Sequence, residues 1–123
     1  YKTIFPTPLA ESCSWDLSLM FETAKAAAIE ASASGIHWTF APMVDIARDP
    51  RWGRIVEGAG EDTYLACKIA ETRVRGFQWN LGKPNSVYAC AKHFVAIRAR
   101  LCSGRPFFVY FGRGLSASFQ GLC

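Results

Sequence analysis

The sequence predicts an α/β protein in which amphipathic helices alternate with buried parallel strands. Apolar residues recur at helical spacing after Asp16 and again after Asp62. Each helical pattern is followed by a short apolar run of strand length, first Ile36–Val44 and then Val87–Ala91. Continuous apolar runs of this length are typical of strands buried on both faces of a parallel sheet. The order helix, strand, helix, strand with short connections therefore favours a parallel α/β sheet.

The first predicted helix begins after Asp16, because an aspartate carboxylate accepts hydrogen bonds from the free N–H groups at a helix start. The pattern ends at Gly35, a residue type that commonly terminates helices. The apolar positions at helical spacing are Leu17, Met20, Phe21, Ala24, Ala28 and Ala31.

The second predicted helix begins near Glu61 and Asp62, where acidic side chains suit the positive end of the helix dipole. A polar turn over residues 80–85 then leads into the second strand, which ends at Lys92 and His93. The apolar positions of this helix are Leu65, Ala66, Ile69, Ala70, Val74 and Phe77.

Length and composition indicate one modest globular domain. The chain has 123 residues, of which 50% are apolar and 20% are charged. Five cysteines form no C-x-x-C pair, which argues against a zinc site or a disulfide framework, and no metal or cofactor is expected. No apolar run approaches the ~20 residues of a membrane span. The opening residues from Tyr1 resemble the middle of a domain, so we expect a fragment.

Charge is unevenly distributed along the chain. The net charge is +4, residues 1–96 are balanced, and the last 27 residues carry four arginines and no acid. A basic tail could contact nucleic acid. The alternative, which we favour, is that this tail does not belong to the domain, and we expect neither a nucleic-acid nor a membrane partner.

Two polar clusters follow the two predicted strands, and function in parallel α/β sheets gathers at the carboxyl ends of strands. The first cluster, Asp45–Arg54, combines arginines, aspartates, Pro50, Trp52 and Gly53 in one connection. The second is the pair Lys92 and His93, which either lines a pocket or merely ends a strand. Neighbouring strand residues point to opposite faces, so a shared pocket would require the backbone to bend there.

Several residues have simpler structural interpretations. Asp45, Arg48, Asp49 and Arg51 are expected to brace the loop by pairing with each other, and Glu57 to guide the approach to the second helix. His37 at a strand start is expected to be structural. The expected core or interface residues are Trp15, Trp38, Trp79, Cys67 and Cys90.

Spaced motifs give the chain a family resemblance. They are Phe5–Leu9, Ser14–Asp16, Gly35–Asp45, Arg48–Arg54, Glu57–Gly58, Gly60–Asp62 and Ala91–Phe94. With these segments in this order, residues 3–96 resemble the N-terminal domain of glycoside hydrolase family 3, and within it the bacterial β-glucosidases of the periplasmic type.

The resemblance implies a fragment of a (β/α)8 TIM-like barrel containing roughly two βα units. It implies a retaining β-glucosidase that removes terminal non-reducing β-D-glucosyl residues from β-glucosides or oligosaccharides. Arg54, Lys92 and His93 would donate hydrogen bonds to sugar hydroxyls, whereas the aspartate nucleophile and glutamate acid/base lie outside this chain. The family also tends to have a non-proline cis peptide near Lys-His-Phe. Its full-length members of this type are periplasmic or secreted.

The resemblance stops after Ala96, which divides the chain into a partial domain, 1–96, and a non-homologous basic tail, 97–123. Codons can be chosen for residues 114–122 that, read one base later, encode the family's text for its next helix. We therefore interpret the tail as a frameshift.

Four alternatives to a glucosidase fragment stay open. The chain could be a non-catalytic sugar-binding module or an inert truncated fragment. Within the family, the activity could instead be that of a β-xylosidase or an N-acetylglucosaminidase.

Overall fold

The computed structural model describes residues 2–93 and two short strands near the C-terminus. Most of the tail, residues 97–123, lies outside the described residues, and so does the interpretation of this tail as a frameshift. The helices are α1 (Pro8–Ser12), α2 (Leu17–Ala33) and α3 (Thr63–Phe77), with a 3-10 turn at Ile55–Glu57. Strands β1 (Phe107–Phe111) and β2 (Leu115–Phe119) pair antiparallel, with residue 107 opposite residue 119.

Both predicted helices are confirmed, together with the side chains that begin them. Asp16 accepts hydrogen bonds from the backbone N–H groups of Ser18 and Leu19, at 2.9 and 3.1 Å, at the start of α2. Asp62 does the same for the N–H of Leu65, at 2.7 Å, at the start of α3. Gly35, just beyond the end of α2, has a φ of 80° that suits glycine.

The short helix α1 and the 3-10 turn were not predicted. Helix α1 has five residues and begins with Pro8, whose fixed φ suits a first helical position. The hydroxyl of Thr7 accepts a hydrogen bond from the N–H of Ala10 at 3.4 Å. Elements this short carry too few residues to show a hydrophobic period.

The two predicted strands are extended segments that pair in parallel through isolated bridges, so continuous strands were a wrong prediction. The bridges join Trp38 to Tyr88 and Met43 to Lys92. Pro42 lies between these bridges and has no N–H to donate, which interrupts the ladder. Four of the backbone hydrogen bonds between the segments are 2.8 to 3.0 Å long, and they run from Thr39 N to Tyr88 O, Tyr88 N to His37 O, Cys90 N to Ala41 O and Lys92 N to Pro42 O.

The core lies where α2 and α3 pack together and against the paired segments. Its buried members are Ala24, Ala28, Val74, Phe77, Val87 and Ala89. Helix α3 meets α2 closely at Gly76, where an added Cβ would lie 2.7 Å from the carbonyl oxygen of Phe21. A side chain at this position would therefore force the two helices apart.

The tryptophans predicted as core or interface residues are not in the core. Trp15, Trp38 and Trp79 are all exposed, and Cys67 and Cys90 are only partly buried. Trp38 contacts the exposed ring of Phe40 in a tilted arrangement, with centroids 4.6 Å apart. The helices cover a limited part of the paired segments, which leaves the rings of Trp38 and Phe40 on the surface.

A buried ion pair ties α1 to α3. Glu11 and Arg73 form a hydrogen-bonded pair whose side chains are 5% and 14% exposed. Burial raises the pKa of Glu11, and the charge of Arg73 partly opposes that rise. Burial likewise lowers the pKa of Arg73. Each charge is therefore tolerated mainly because the other is present.

Among the residues that the structure describes, no helix is both long and apolar enough to cross a membrane.

Replacing Arg73 by leucine is expected to destabilise the protein by about 3–5 kcal/mol, because it leaves the Glu11 carboxylate buried without its cation. The double variant Glu11→Leu, Arg73→Leu should recover most of the loss. The control is Arg75→Ala, since Arg75 is exposed on the same helix and its contact with Glu71 is 3.7 Å long. Chemical denaturation measures all three, and equal losses for Arg73→Leu and Arg75→Ala would contradict the assignment.

Candidate functional site

The two polar clusters meet at one edge of the paired segments. Asp45 follows the first extended segment, and Lys92 and His93 end the second. The parallel bridge between Met43 and Lys92 aligns the two ends, and the N–H of Val44 donates to the carbonyl of Lys92. This alignment places residues 48 positions apart in direct contact.

Asp45 holds His93 by two hydrogen bonds to a single carboxylate oxygen. Oδ2 of Asp45 lies 3.1 Å from the backbone nitrogen of His93 and 2.9 Å from its ring Nδ1. The Asp45 side chain is only 4% exposed. Its other oxygen, Oδ1, is buried and has no hydrogen-bond partner among the described residues.

Arg54 connects His93 to a second carboxylate. Its Nε and Nη2 each donate to one oxygen of Glu57, both at 2.6 Å. Its Nη1 lies 3.3 Å from Nε2 of His93. A guanidinium only donates hydrogen bonds, so Nε2 of His93 must accept, and the ring proton then lies on Nδ1, facing Asp45.

The Arg54–Glu57 pair keeps both partners ionised. The two hydrogen bonds from Arg54 hold the pKa of Glu57 below its ordinary value. In return, the hydrogen bonds to Glu57 raise the pKa of Arg54. These contacts occupy three of the five donors that a guanidinium carries, so Arg54 retains donors for a further oxygen.

A cavity of about 240 Å³ lies beside this cluster. Asp45, Glu57, Lys92 and Arg73 contribute polar groups to its wall, and most of the remaining wall is apolar. Arg54 and His93 do not line this cavity, part of whose wall is the buried face of α3 at Ala66, Ile69 and Ala70.

The structure brings together two of the three predicted site residues in direct contact, Arg54 with His93, and it places Lys92 on the adjoining cavity wall. The peptide bond between Lys92 and His93 is cis, as the family resemblance implied. His93 differs from the expected hydroxyl donor, because both its ring nitrogens already face protein partners.

Two structural interpretations of the loop are corrected. Asp49 and Arg51 brace it as expected, with three hydrogen bonds of 2.9 to 3.0 Å, but Asp45 is not part of that network and instead binds His93. Glu57 was expected only to guide the chain into the second helix, but its carboxylate also accepts hydrogen bonds from Arg54. The three-residue spacing of Arg54 and Glu57 is a known pairing distance on helices, but the 3-10 turn that brings the two side chains together was not predicted.

Within residues 2–93, no three metal-ligating side chains of the His, Cys, Asp and Glu types cluster in a way that could hold a metal ion.

The fold and the side-chain cluster define a piece of a parallel α/β protein in which polar residues gather at the carboxyl ends of its extended segments. Sequence comparison identifies the family: the model described as "Glycosyl hydrolase family 3 N terminal domain" matches residues 1–103. The chain therefore belongs to this family of glycoside hydrolases.

Curated relatives agree with that membership. The chain is 42% identical over 99 residues to a periplasmic β-glucosidase of Salmonella typhimurium, which covers 80% of this chain and 13% of the relative. It is 39% identical over 102 residues to β-D-xylosidase 1 of Arabidopsis thaliana, covering 76% of this chain and 13% of that protein. The chain thus spans roughly an eighth of the length of these relatives.

Solved structures show the same relationship in three dimensions. A β-glucosidase from Listeria innocua superposes with a TM-score of 0.73 at 44% identity, covering 76% of this chain and 14% of that one. The same enzyme has been solved in complex with glucose. The N-terminal domain of these enzymes is a TIM barrel, which supports the predicted fold class at that level.

The stabilisation that the Glu57–Arg54 pair gives to the folded protein is expected to decline at acid pH. A lowered glutamate pKa means that the stabilisation is complete above the unfolded value, 4.5, and declines as pH falls through the lower folded value. The melting temperature of the wild type should therefore exceed that of Glu57→Gln above pH 4.5, with the gap narrowing below it. The control is Glu71→Gln, whose pair on α3 is longer. A gap that widens toward acid pH would contradict this assignment.

Proposed function

We propose that this chain is part of a retaining β-glucosidase and that Arg54, Lys92 and His93 bind the sugar at the cleaved end. The observation that carries the proposal is the contact between Arg54 and His93, 3.3 Å apart, beside the cavity that Lys92 lines. Family membership supplies the reaction class, and the names of the β-glucosidase relatives support the substrate class.

The chemistry of these side chains suits a sugar. Arg54 retains donors that can reach neighbouring sugar oxygens, and the ammonium of Lys92 offers up to three more. Because they are charged, these groups form stronger hydrogen bonds to hydroxyl oxygens than neutral donors do. Positive charge at this position also favours the ionised form of a nearby carboxylate nucleophile.

The catalytic carboxyl groups are proposed to lie outside this chain. Retaining hydrolysis requires a nucleophile and an acid/base about 5 Å apart. Neither Asp45 nor Glu57 suits these roles, because Asp45 is buried against His93 and Glu57 is engaged by Arg54. We therefore propose that the chain alone binds sugar without cleaving it. The full-length protein is proposed to be periplasmic or secreted, as the name of the Salmonella relative suggests.

A second candidate is a β-xylosidase, which the Arabidopsis relative favours. Xylose lacks the hydroxymethyl group of glucose, so the two activities differ in the wall that surrounds that group. Parallel titrations with xylose and glucose separate the two candidates, since a preference for xylose would favour the xylosidase.

Glucose binding to the 123-residue chain should weaken by about 10-fold to 100-fold in Arg54→Ala, because a charged hydrogen bond typically contributes about 1.5–3 kcal/mol. Titration followed by tryptophan fluorescence measures this, since Trp52 lies two residues from Arg54. The matched control is Arg51→Ala, which removes an arginine from the same loop whose side chain is 88% exposed and pairs with Asp49.

Equal affinities of the wild type and Arg54→Ala would contradict the proposed role of Arg54. Failure of the wild type to bind glucose or xylose would favour the inert fragment. Turnover of an aryl β-glucoside above a Lys92→Ala control would contradict the placement of the catalytic groups outside the chain.

We also propose that residues 97–123 are translated out of frame. The acid-free composition of this segment supports a change of frame near Ala96, although the family match itself continues to residue 103. Resequencing the encoding DNA from the codon of Ala96 onward tests this. One inserted or missing base that restores family text is the expected result, and codons that forbid the shifted text would overturn it.

A further inference from the structure

We propose that Asp45 is the positioning residue of this site and that it keeps the ring proton of His93 on Nδ1. His93 then presents Nε2 as a hydrogen-bond acceptor toward Arg54 and the sugar. The effect on sugar recognition rests on the function proposed above, whereas the position of the proton does not.

The first observation is the geometry between Asp45 and His93. One oxygen, Oδ2, lies within hydrogen-bond distance of both the backbone nitrogen and ring Nδ1 of His93, at 3.1 and 2.9 Å. Two bonds from a single acceptor fix the ring orientation as well as the backbone. Because a carboxylate can only accept, Nδ1 must carry the proton.

The second observation is that the Asp45 carboxylate is enclosed by the protein. Its side chain is 4% exposed, and its backbone oxygen would lie 3.2 Å from a Cβ added to Gly58. Glycine at position 58 thus lets the returning chain pass close to Asp45. The N–H of Ala47 also donates to the carbonyl of Gly60 at 3.0 Å, which ties the loop to the segment before α3.

The third observation comes from the other side of the imidazole ring. Nη1 of Arg54 lies 3.3 Å from Nε2, and an arginine can only donate. The contact is therefore compatible only with an unprotonated Nε2. Both contacts fit the same tautomer, but the contact of His93 with Asp45, at 2.9 Å, is shorter than the contact with Arg54, at 3.3 Å, so Asp45 is the group that holds the proton on Nδ1.

This arrangement determines which groups the site can bind. Nε2 accepts and Nη1 donates, so the position between them suits a group that can do both. A hydroxyl group has one donor and two acceptor sites, whereas an ether oxygen can only accept. A sugar hydroxyl can therefore replace the direct contact of Arg54 with His93 by bridging the two side chains.

The test is the tautomer of His93 in the 123-residue chain without sugar. The sequence contains only two histidines, and the variant His37→Gln assigns their signals. Nuclear magnetic resonance of ¹⁵N-labelled histidine at a pH of about 8.5, well above the ordinary histidine pKa of about 6.5, reports which nitrogen is protonated. The expected result is a protonated Nδ1 and an unprotonated Nε2 for His93.

Three variants separate Asp45 from its neighbours. Asp45→Ala should lose the dominance of the Nδ1-protonated form and bind glucose about 10-fold more weakly. Arg54→Ala should retain that form, because Asp45 still accepts a hydrogen bond from Nδ1–H of His93. The control Asp49→Ala removes a carboxylate from the same loop, one that pairs with Arg51, and should leave the tautomer unchanged.

The proposal is overturned by a wild-type His93 protonated at Nε2, by loss of the Nδ1-protonated form in Arg54→Ala, or by an unchanged tautomer in Asp45→Ala. Circular dichroism checks the helix content of each variant. If Asp45→Ala does not fold, the wild type and Arg54→Ala decide the question. A correct tautomer without glucose binding would refute the proposed function and leave the role of Asp45 intact.

Discussion

The parallel register of the two extended segments is the constraint on which the site depends. Bridges at Trp38 with Tyr88 and at Met43 with Lys92 place the ends of both segments at one edge. A slip of one residue in such a pairing turns every side chain to the opposite face. Asp45 would then point away from His93. The helices α2 and α3 support this register from one side, because Val87 and Ala89 are buried in their shared core.

Given that register, four side chains form a row in which acceptors and donors alternate. Asp45 accepts from His93, His93 accepts from Arg54, and Arg54 donates twice to Glu57. The Glu57 carboxylate balances the charge of the guanidinium, so Arg54 can lie beside a partly apolar cavity. The buried end is the more rigid one, since Asp45 is almost inaccessible whereas Glu57 is partly exposed. A ligand is therefore expected to meet the Arg54 side of the row.

Local signals made part of this structure predictable. Asp16 and Asp62 begin their helices as predicted, because a cap involves only residues near in sequence. The prediction of continuous strands was wrong because Pro42 has no N–H to donate, although the residues around it have the apolar pattern of a strand. The contact of Asp45 with His93 spans 48 residues, and no periodic pattern reports such a pairing. Arg54, Lys92 and His93 were proposed through the family resemblance, whereas the contact of Glu57 with Arg54 depends on a 3-10 turn that the sequence did not predict.

The exposed aromatic rings follow from the same geometry. α2 and α3 bury part of the paired segments, but Trp38, Phe40 and Tyr88 remain more than half exposed. Large apolar rings gathered on one surface mark a contact surface, and two paired segments leave edges that can accept further strands. The family's TIM barrel would meet both needs by closing the sheet. In such a barrel the polar row would lie at the carboxyl end of the strands, where the catalytic groups that we propose on other strands would reach the sugar that we propose Arg54 binds.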